Sequence, residues 1–109
     1  MKPNISYEKY YDSDGNVAVL YSPGYGAGWY TWNYDYEGLV FDKNIVELVL
    51  ANKIDEAIKF AEQKYPDIYT GGGEDLKIKW VPKGHQFLIK EYDGYESVSV
   101  VGTSEYLIA

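Results

Sequence analysis

Alternating apolar and polar residues predict strands in the last third of the chain. Apolar side chains occupy every second position from Leu76 to Trp80 and are separated by lysines, which is the period expected of a strand with one buried face. We therefore expect Trp80 to be buried with Leu76 and Ile78. The Asp93-Gly94 pair is typical of a tight hairpin turn. The predicted strands are 76–81, 86–92 and 95–101.

A second pair of strands is predicted near the start of the sequence. Residues 17–21 are continuously apolar, as in a central strand, and the mixed segment 5–11 is its expected partner. Residues 12–16 between them are Asp-Ser-Asp-Gly-Asn, a composition that favours turns because Asp and Asn bond to their own backbone and Gly accepts a positive φ. The pattern predicts an N-terminal hairpin.

The middle of the chain has helical spacing. One apolar stripe runs from Ile54 to Tyr65 at intervals of three and four residues, and Pro66 ends it. A second group of apolar residues follows Asp42, which is a good N-cap. Two helices are thus predicted, near 43–51 and 54–64.

The order of these elements predicts an α+β fold. Strands on either side of a helical insert favour an antiparallel sheet, made of a hairpin plus a C-terminal meander, with two helices on one face. We expect at least four strands in that sheet. The length of 109 residues corresponds to a single domain, 1–109.

Composition excludes several classes of function. The formal net charge is −7 and all ten basic residues are lysines, so the basic, arginine-bearing surface of a sequence-specific nucleic-acid binder is missing. Without cysteine, there is no disulfide, thiolate metal site or cysteine nucleophile. No apolar run approaches about 20 residues, and the N-terminus lacks the apolar stretch of a signal peptide. We expect a cytoplasmic protein that does not bind membranes.

The most unusual segment is rich in glycine and aromatic residues. Three glycines alternate from Gly24 to Gly28, and four large rings lie between Tyr25 and Trp32. Successive glycines let backbone amides approach a ligand, and exposed rings can stack on a base or a sugar. The alternative is a tight glycine path whose rings pack in the core. The residues of the predicted binding site are Tyr25, Gly26, Gly28, Trp29, Tyr30 and Trp32.

Catalytic and metal-binding patterns are weaker. Several carboxylates lie near predicted hairpin ends, where two could act as acid and base, as in glycosidases, or could simply be solvated. They are Glu91, Asp93, Glu96 and the Glu74-Asp75 pair. His85 is the only histidine, which excludes a two-histidine metal site. Asp12, Asp14 and Asn16 resemble the start of a calcium loop, but Val17 and Pro23 stand where that loop requires Gly and Glu. We expect no metal and no cofactor.

Several segments, taken in order, resemble a set of small proteins encoded by tailed bacteriophages. The segments are 21–29, 39–42, 69–72, 76–84 and 87–96, and the resemblance as a whole extends over most of the chain. The resemblance implies a phage origin and a location in the host cytoplasm. It implies no activity, because none is known for that family, but many small phage proteins act by binding.

Two functions from different classes follow. The first is a small non-catalytic phage protein that inhibits or modulates a host component, for instance a defence protein, or that sequesters a small nucleotide signal. Its partner would be a host protein or a small nucleotide-like ligand. The second is a small carboxylate-dependent hydrolase or lyase. A carboxylate pair in one cleft would favour the second.

Overall fold

The computed structural model describes residues 5–24, 28–92, 95–100 and 107–109. It confirms an α+β fold with antiparallel strands. The elements are β1 (Asn16–Tyr21), α1 (Gly38–Phe41), α2 (Lys43–Leu50), α3 (Ile54–Lys64), β2 (Lys77–Pro82), β3 (Gln86–Tyr92), β4 (Tyr95–Val100) and β5 (Leu107–Ile108). A short 3-10 turn, Gly73–Asp75, precedes β2.

The strands form two sheets rather than the single sheet expected. β1 pairs with β2, so that Val17 lies opposite Val81. The other sheet has the order β4-β3-β5. Segment 5–11, the expected partner of β1, makes only the isolated bridges Lys9–Asp42 and Tyr11–Val17. The reason lies in the packing of the segment against the helices: the Lys43 amide donates to the Glu8 carbonyl, and the Tyr7 ring stacks on Phe41.

The predicted turn at 12–16 is present. The Asp12 carboxylate accepts hydrogen bonds from the amides of Asp14 and Asn16. These bonds, with one from the Asn16 side chain as the largest cause, hold the pKa of Asp12 below its ordinary value. Asp12 therefore stabilises the turn that the sequence predicted at these residues.

Both predicted helices are confirmed as α2 and α3. Asp42 caps α2 by accepting from the Asn44 amide at 2.9 Å, and Asn52 follows the helix with a φ of 61°. The apolar stripe of α3 buries Ala57 and Ala61. The four-residue helix α1 was not predicted. A Cβ at its first residue, Gly38, would collide with the phenol of Tyr65, so glycine permits this close approach.

The prediction that Trp80 is buried is wrong, because its side chain is 36% exposed. β2 contributes Val81 to the core instead. Trp80 lies opposite Ala18, and its ring meets that of Tyr10 at 6.0 Å, so it covers a small side chain at the edge of the core. The fully buried tryptophan is Trp29. The alternation of apolar and polar residues predicted the position of the strand correctly. It did not show which residues of the strand the rest of the protein would bury.

None of the helices that the structure describes is long and apolar enough to span a membrane.

Candidate functional site

The glycine and aromatic segment turns partly inward. Trp29 is fully buried, and its indole nitrogen donates to the Leu39 carbonyl at 2.7 Å. Tyr30 is also buried, whereas Trp32 is 46% exposed. Tyr25 and Gly26 lie outside the described residues. Of the six residues predicted to bind, Trp32 is therefore the one whose side chain the structure shows at the surface.

Gly28 contributes by lacking a side chain. A Cβ at this position would collide with the Trp32 ring and with the Thr31 hydroxyl. The indole of Trp32 consequently lies directly against the backbone of the loop. The glycine allows the ring to be held close to the fold while nearly half of its surface remains accessible.

A buried glutamate forms hydrogen bonds with the backbone of the glycine and aromatic segment. Glu96, on β4, is only 2% exposed. Its Oε1 accepts from the Ser22 amide at 2.8 Å. Its Oε2 accepts from the amides of Trp29 and Thr31, both at 2.8 Å, and from the Thr31 hydroxyl at 2.7 Å. The carboxylate thus fixes both ends of the 22–31 loop.

These bonds decide the chemical role of Glu96. The expectation of a solvated turn acid is wrong for this residue. Burying a carboxylate costs free energy unless it is paired or well hydrogen-bonded, and here three amides and one hydroxyl supply the compensation. A carboxylate whose two oxygens are both occupied by fixed donors is poorly placed to take a proton from a substrate. Glu96 therefore supports the loop rather than catalysing a reaction.

Trp32 does not stand alone at the surface. Its ring stacks on that of Tyr69, with centroids 4.8 Å apart and planes inclined by 27°. Tyr69 is 49% exposed. Tyr34 is exposed as well, and its ring packs edge-on against Tyr30 at 5.2 Å. We call the stacked pair Trp32 and Tyr69, together with the exposed Tyr34 two positions after Trp32, the aromatic surface.

Asn33 fixes the two segments that carry this surface. Its side-chain nitrogen donates to the Tyr69 carbonyl at 2.8 Å, and its side-chain oxygen accepts from the Tyr69 amide at 2.9 Å. The same nitrogen also donates to the Trp29 carbonyl at 2.6 Å. The asparagine side chain replaces a strand pairing between segments that are 36 positions apart. Asn33 therefore links the two backbone segments that carry the stacked rings of Trp32 and Tyr69.

The other predicted carboxylates that the structure describes lie on β3 and on the 3-10 turn. Glu91 lies directly opposite Glu96 in the β3–β4 register, but its Oε1 lies 3.4 Å from the Trp32 indole nitrogen, and Glu96 is occupied as described. Glu74 and Asp75 lie on the 3-10 turn and line an open groove of about 450 Å³ together with Lys77. Asp93 lies outside the described residues.

A second buried polar cluster joins the helices. Asp42 is fully buried, and its Oδ2 accepts from Lys64 Nζ at 2.6 Å and from the Tyr65 hydroxyl at 2.7 Å. Desolvation, followed by the hydrogen bond to Asp42 and its charge, raises the pKa of Tyr65 above its ordinary value. Each group has its partner inside the fold, so the cluster stabilises α2 and α3.

His85 is exposed in the turn between β2 and β3. Among the described residues, no three His, Cys, Asp or Glu side chains are grouped so that they could hold a metal ion. The aromatic surface is accordingly the feature with the clearest capacity to bind a partner.

Comparison of the chain with protein-family models, with curated proteins and with solved structures finds no match in any of the three. The resemblance to phage proteins stays a prediction.

Proposed function

We propose that the protein is a non-catalytic binding protein that contacts its partner through the aromatic surface. One observation carries the proposal: Trp32 and Tyr69 are both about half exposed, yet they are stacked on each other and anchored by Asn33. Tryptophan and tyrosine provide large contact areas with little conformational entropy to lose, and they are enriched at the hot spots of interfaces. A preordered aromatic pair reduces the entropic cost of binding.

The hydrolase or lyase is supported less well. Such an enzyme needs two carboxylates that both face a substrate. Glu96 has both oxygens bonded to the 22–31 loop, and the Glu91 carboxylate lies beside the Trp32 indole. The binding function requires none of these groups to change its protonation state.

The resemblance to phage proteins supplies the biological setting of the proposal. In that setting, the partner is a host component, such as a defence protein, and binding in the host cytoplasm inhibits or redirects it. A small nucleotide signal is the other partner class in keeping with stacked rings.

The test is a capture experiment with paired variants. Wild-type protein, Trp32→Ala and Tyr69→Ala are each immobilised and exposed to bacterial lysate, and retained proteins and released small molecules are identified by mass spectrometry. We expect a partner that wild type retains and both variants lose. Calorimetry with that partner should show a loss of about 2 kcal/mol or more for Trp32→Ala, with a small change in melting temperature.

Tyr11→Ala is the matched control, because Tyr11 is 47% exposed and lies beside Val17 at the opposite end of β1 from Ser22. It should retain the partner. If Trp32→Ala and Tyr69→Ala capture the same molecules as wild type, the aromatic surface is not the binding site.

A further inference from the structure

The aromatic surface is bordered by carboxylates. Glu91 contacts the edge of the Trp32 indole. Glu62 accepts from the hydroxyl of Thr70, next to Tyr69, at 2.8 Å. Asp35 follows Tyr34 directly, and Asp67 precedes Tyr69 by two positions. All four acids are exposed: Glu91 and Glu62 contact the stacked pair or its neighbour, and Asp35 and Asp67 belong to the segments that carry the rings.

Positive charge is scarce in the same place. The segments that build the surface, 28–37 and 65–75, contain two and three acidic residues respectively and no lysine. Lys64, which precedes the second segment, is bound to Asp42. Lys59 lies one turn before Glu62 on α3. The two segments that carry the rings are therefore acidic, in agreement with the net charge of −7.

We infer that the partner presents lysine or arginine side chains to the aromatic surface; this inference rests on the proposed binding function. A cation held over the face of a tryptophan or tyrosine is attracted by the ring quadrupole. A flanking carboxylate adds an ion pair and also steers the approach of the partner. The occupant is thus a basic protein segment.

The same charges disfavour a nucleotide. A stacked base would bring its phosphates to a surface where Glu91 lies beside Trp32 and whose segments carry Asp35 and Asp67, and like charges repel each other. No lysine of the two segments and no arginine anywhere in the chain is available to offset the repulsion. Of the two partner classes open at the level of the proposed function, the structure favours the protein.

The test uses simple probes of opposite charge. Calorimetry and tryptophan fluorescence compare three ligands: a peptide of alternating arginine and serine, the same peptide with glutamate in place of arginine, and ATP. We expect only the arginine peptide to bind, and its Kd to rise as salt is raised from about 0.05 M to about 0.5 M. Trp32→Ala should weaken binding by about tenfold, and Glu91→Gln by about threefold.

Glu47→Gln is the matched control for charge, because Glu47 is an exposed glutamate on α2 and the variant loses the same single charge as Glu91→Gln. It should bind the peptide like wild type. Equal binding by wild type and Trp32→Ala would mean attraction by net charge alone and would overturn the inference. So would the absence of peptide binding.

The inference and the proposed function fail in different ways. If the protein binds ATP in a Trp32-dependent way and does not bind the peptide, the inference of a basic partner is wrong, but the proposal of a binding surface stands. If Trp32→Ala captures the same molecules from lysate as wild type, the proposal that the aromatic surface binds the partner is wrong.

Discussion

At the scale of single residues, Glu96 is the side chain on which most of the candidate site depends. It holds the amides of Ser22, Trp29 and Thr31, and Thr31 directly precedes Trp32. Buried hydrogen bonds to a carboxylate contribute more than neutral ones, and the penalty for leaving the donors unpaired is larger still. The backbone that carries Trp32 is thus held by a buried residue that no ligand would touch.

Glu96→Gln should lower the free energy of unfolding by about 3 kcal/mol. The amide keeps one acceptor oxygen but turns an NH₂ group toward donors that already need an acceptor. Urea denaturation followed by circular dichroism measures the change. Glu91→Gln, the directly opposite position in the β3–β4 register, is the control and should change stability by less than about 0.5 kcal/mol. Equal effects of the two variants would contradict the structural role of Glu96.

The buried Tyr65 should make the free energy of unfolding fall at alkaline pH. Its folded pKa is raised above the ordinary value of 10.0, so above that pH the unfolded chain releases the phenolic proton while the folded protein retains it. The unfolded state is then favoured, and stability falls as pH rises. Over about pH 9 to 11, Tyr65→Phe should show a fall smaller than that of wild type by about 1 kcal/mol.

The control for this variant is Tyr92→Phe, which alters a tyrosine that is 78% exposed. Its stability should follow the wild-type pH dependence between the same limits. An identical alkaline decline in wild type and Tyr65→Phe would show that Tyr65 loses its proton equally easily in both states.

At the scale of elements, the sequence predicted what depends on local periodicity. The lysine-separated apolar positions of β2 and the stripe of α3 have one dominant period, so both elements lie close to their predicted bounds. Partners were harder to predict. By sequence, β1 could pair with segment 5–11 or with β2. Its pairing with β2 depends on packing between distant parts of the chain.

The candidate site shows the same limit. The density of rings drew attention to Trp32, but the outcome for Trp29 depends on the pocket that other elements make for it. Tyr69 and Asn33 gave no signal, because a lone tyrosine and a lone asparagine in turn-rich segments are common. Their importance arises only when residues 36 positions apart meet.

The loop beside the aromatic surface depends on Gly72, the middle residue of a run of three glycines. A Cβ at Gly72 would collide with the Gly28 carbonyl and approach the Ser22 hydroxyl, which itself donates to the Gly72 carbonyl at 2.8 Å. Gly72→Ala should cost about 2 kcal/mol, because a backbone atom must move.

Gly71→Ala provides the comparison at the adjacent position. There, the atoms nearest to an added Cβ belong to the outer end of the Tyr69 side chain, which can shift slightly at less cost than the Gly28 backbone. Thermal denaturation of the two variants should rank Gly72→Ala clearly below Gly71→Ala. The reverse order would mean that the loop tolerates displacement at Gly72.

At the scale of the whole molecule, the two sheets meet where β1 ends and β4 begins. The Glu96 amide donates to the Ser22 carbonyl at 2.8 Å, while the Glu96 carboxylate accepts from the Ser22 amide. Residues from the first quarter and the last quarter of the chain are thereby joined in both directions. The helical segment between them, which includes α2 and α3, is built from contacts much closer in sequence.

This join has a consequence for the order of folding. Ser22 and Glu96 are 74 positions apart, and closing so long a loop costs entropy before any bond is gained. The β3–β4 hairpin and the α2–α3 pair can form first, and the carboxylate is enclosed only after the main barrier. Glu96→Gln should then accelerate unfolding and leave the refolding rate nearly unchanged. Stopped-flow measurements over a range of urea concentrations would show a shift confined to the unfolding limb, whereas slower refolding would place Glu96 in the folding nucleus.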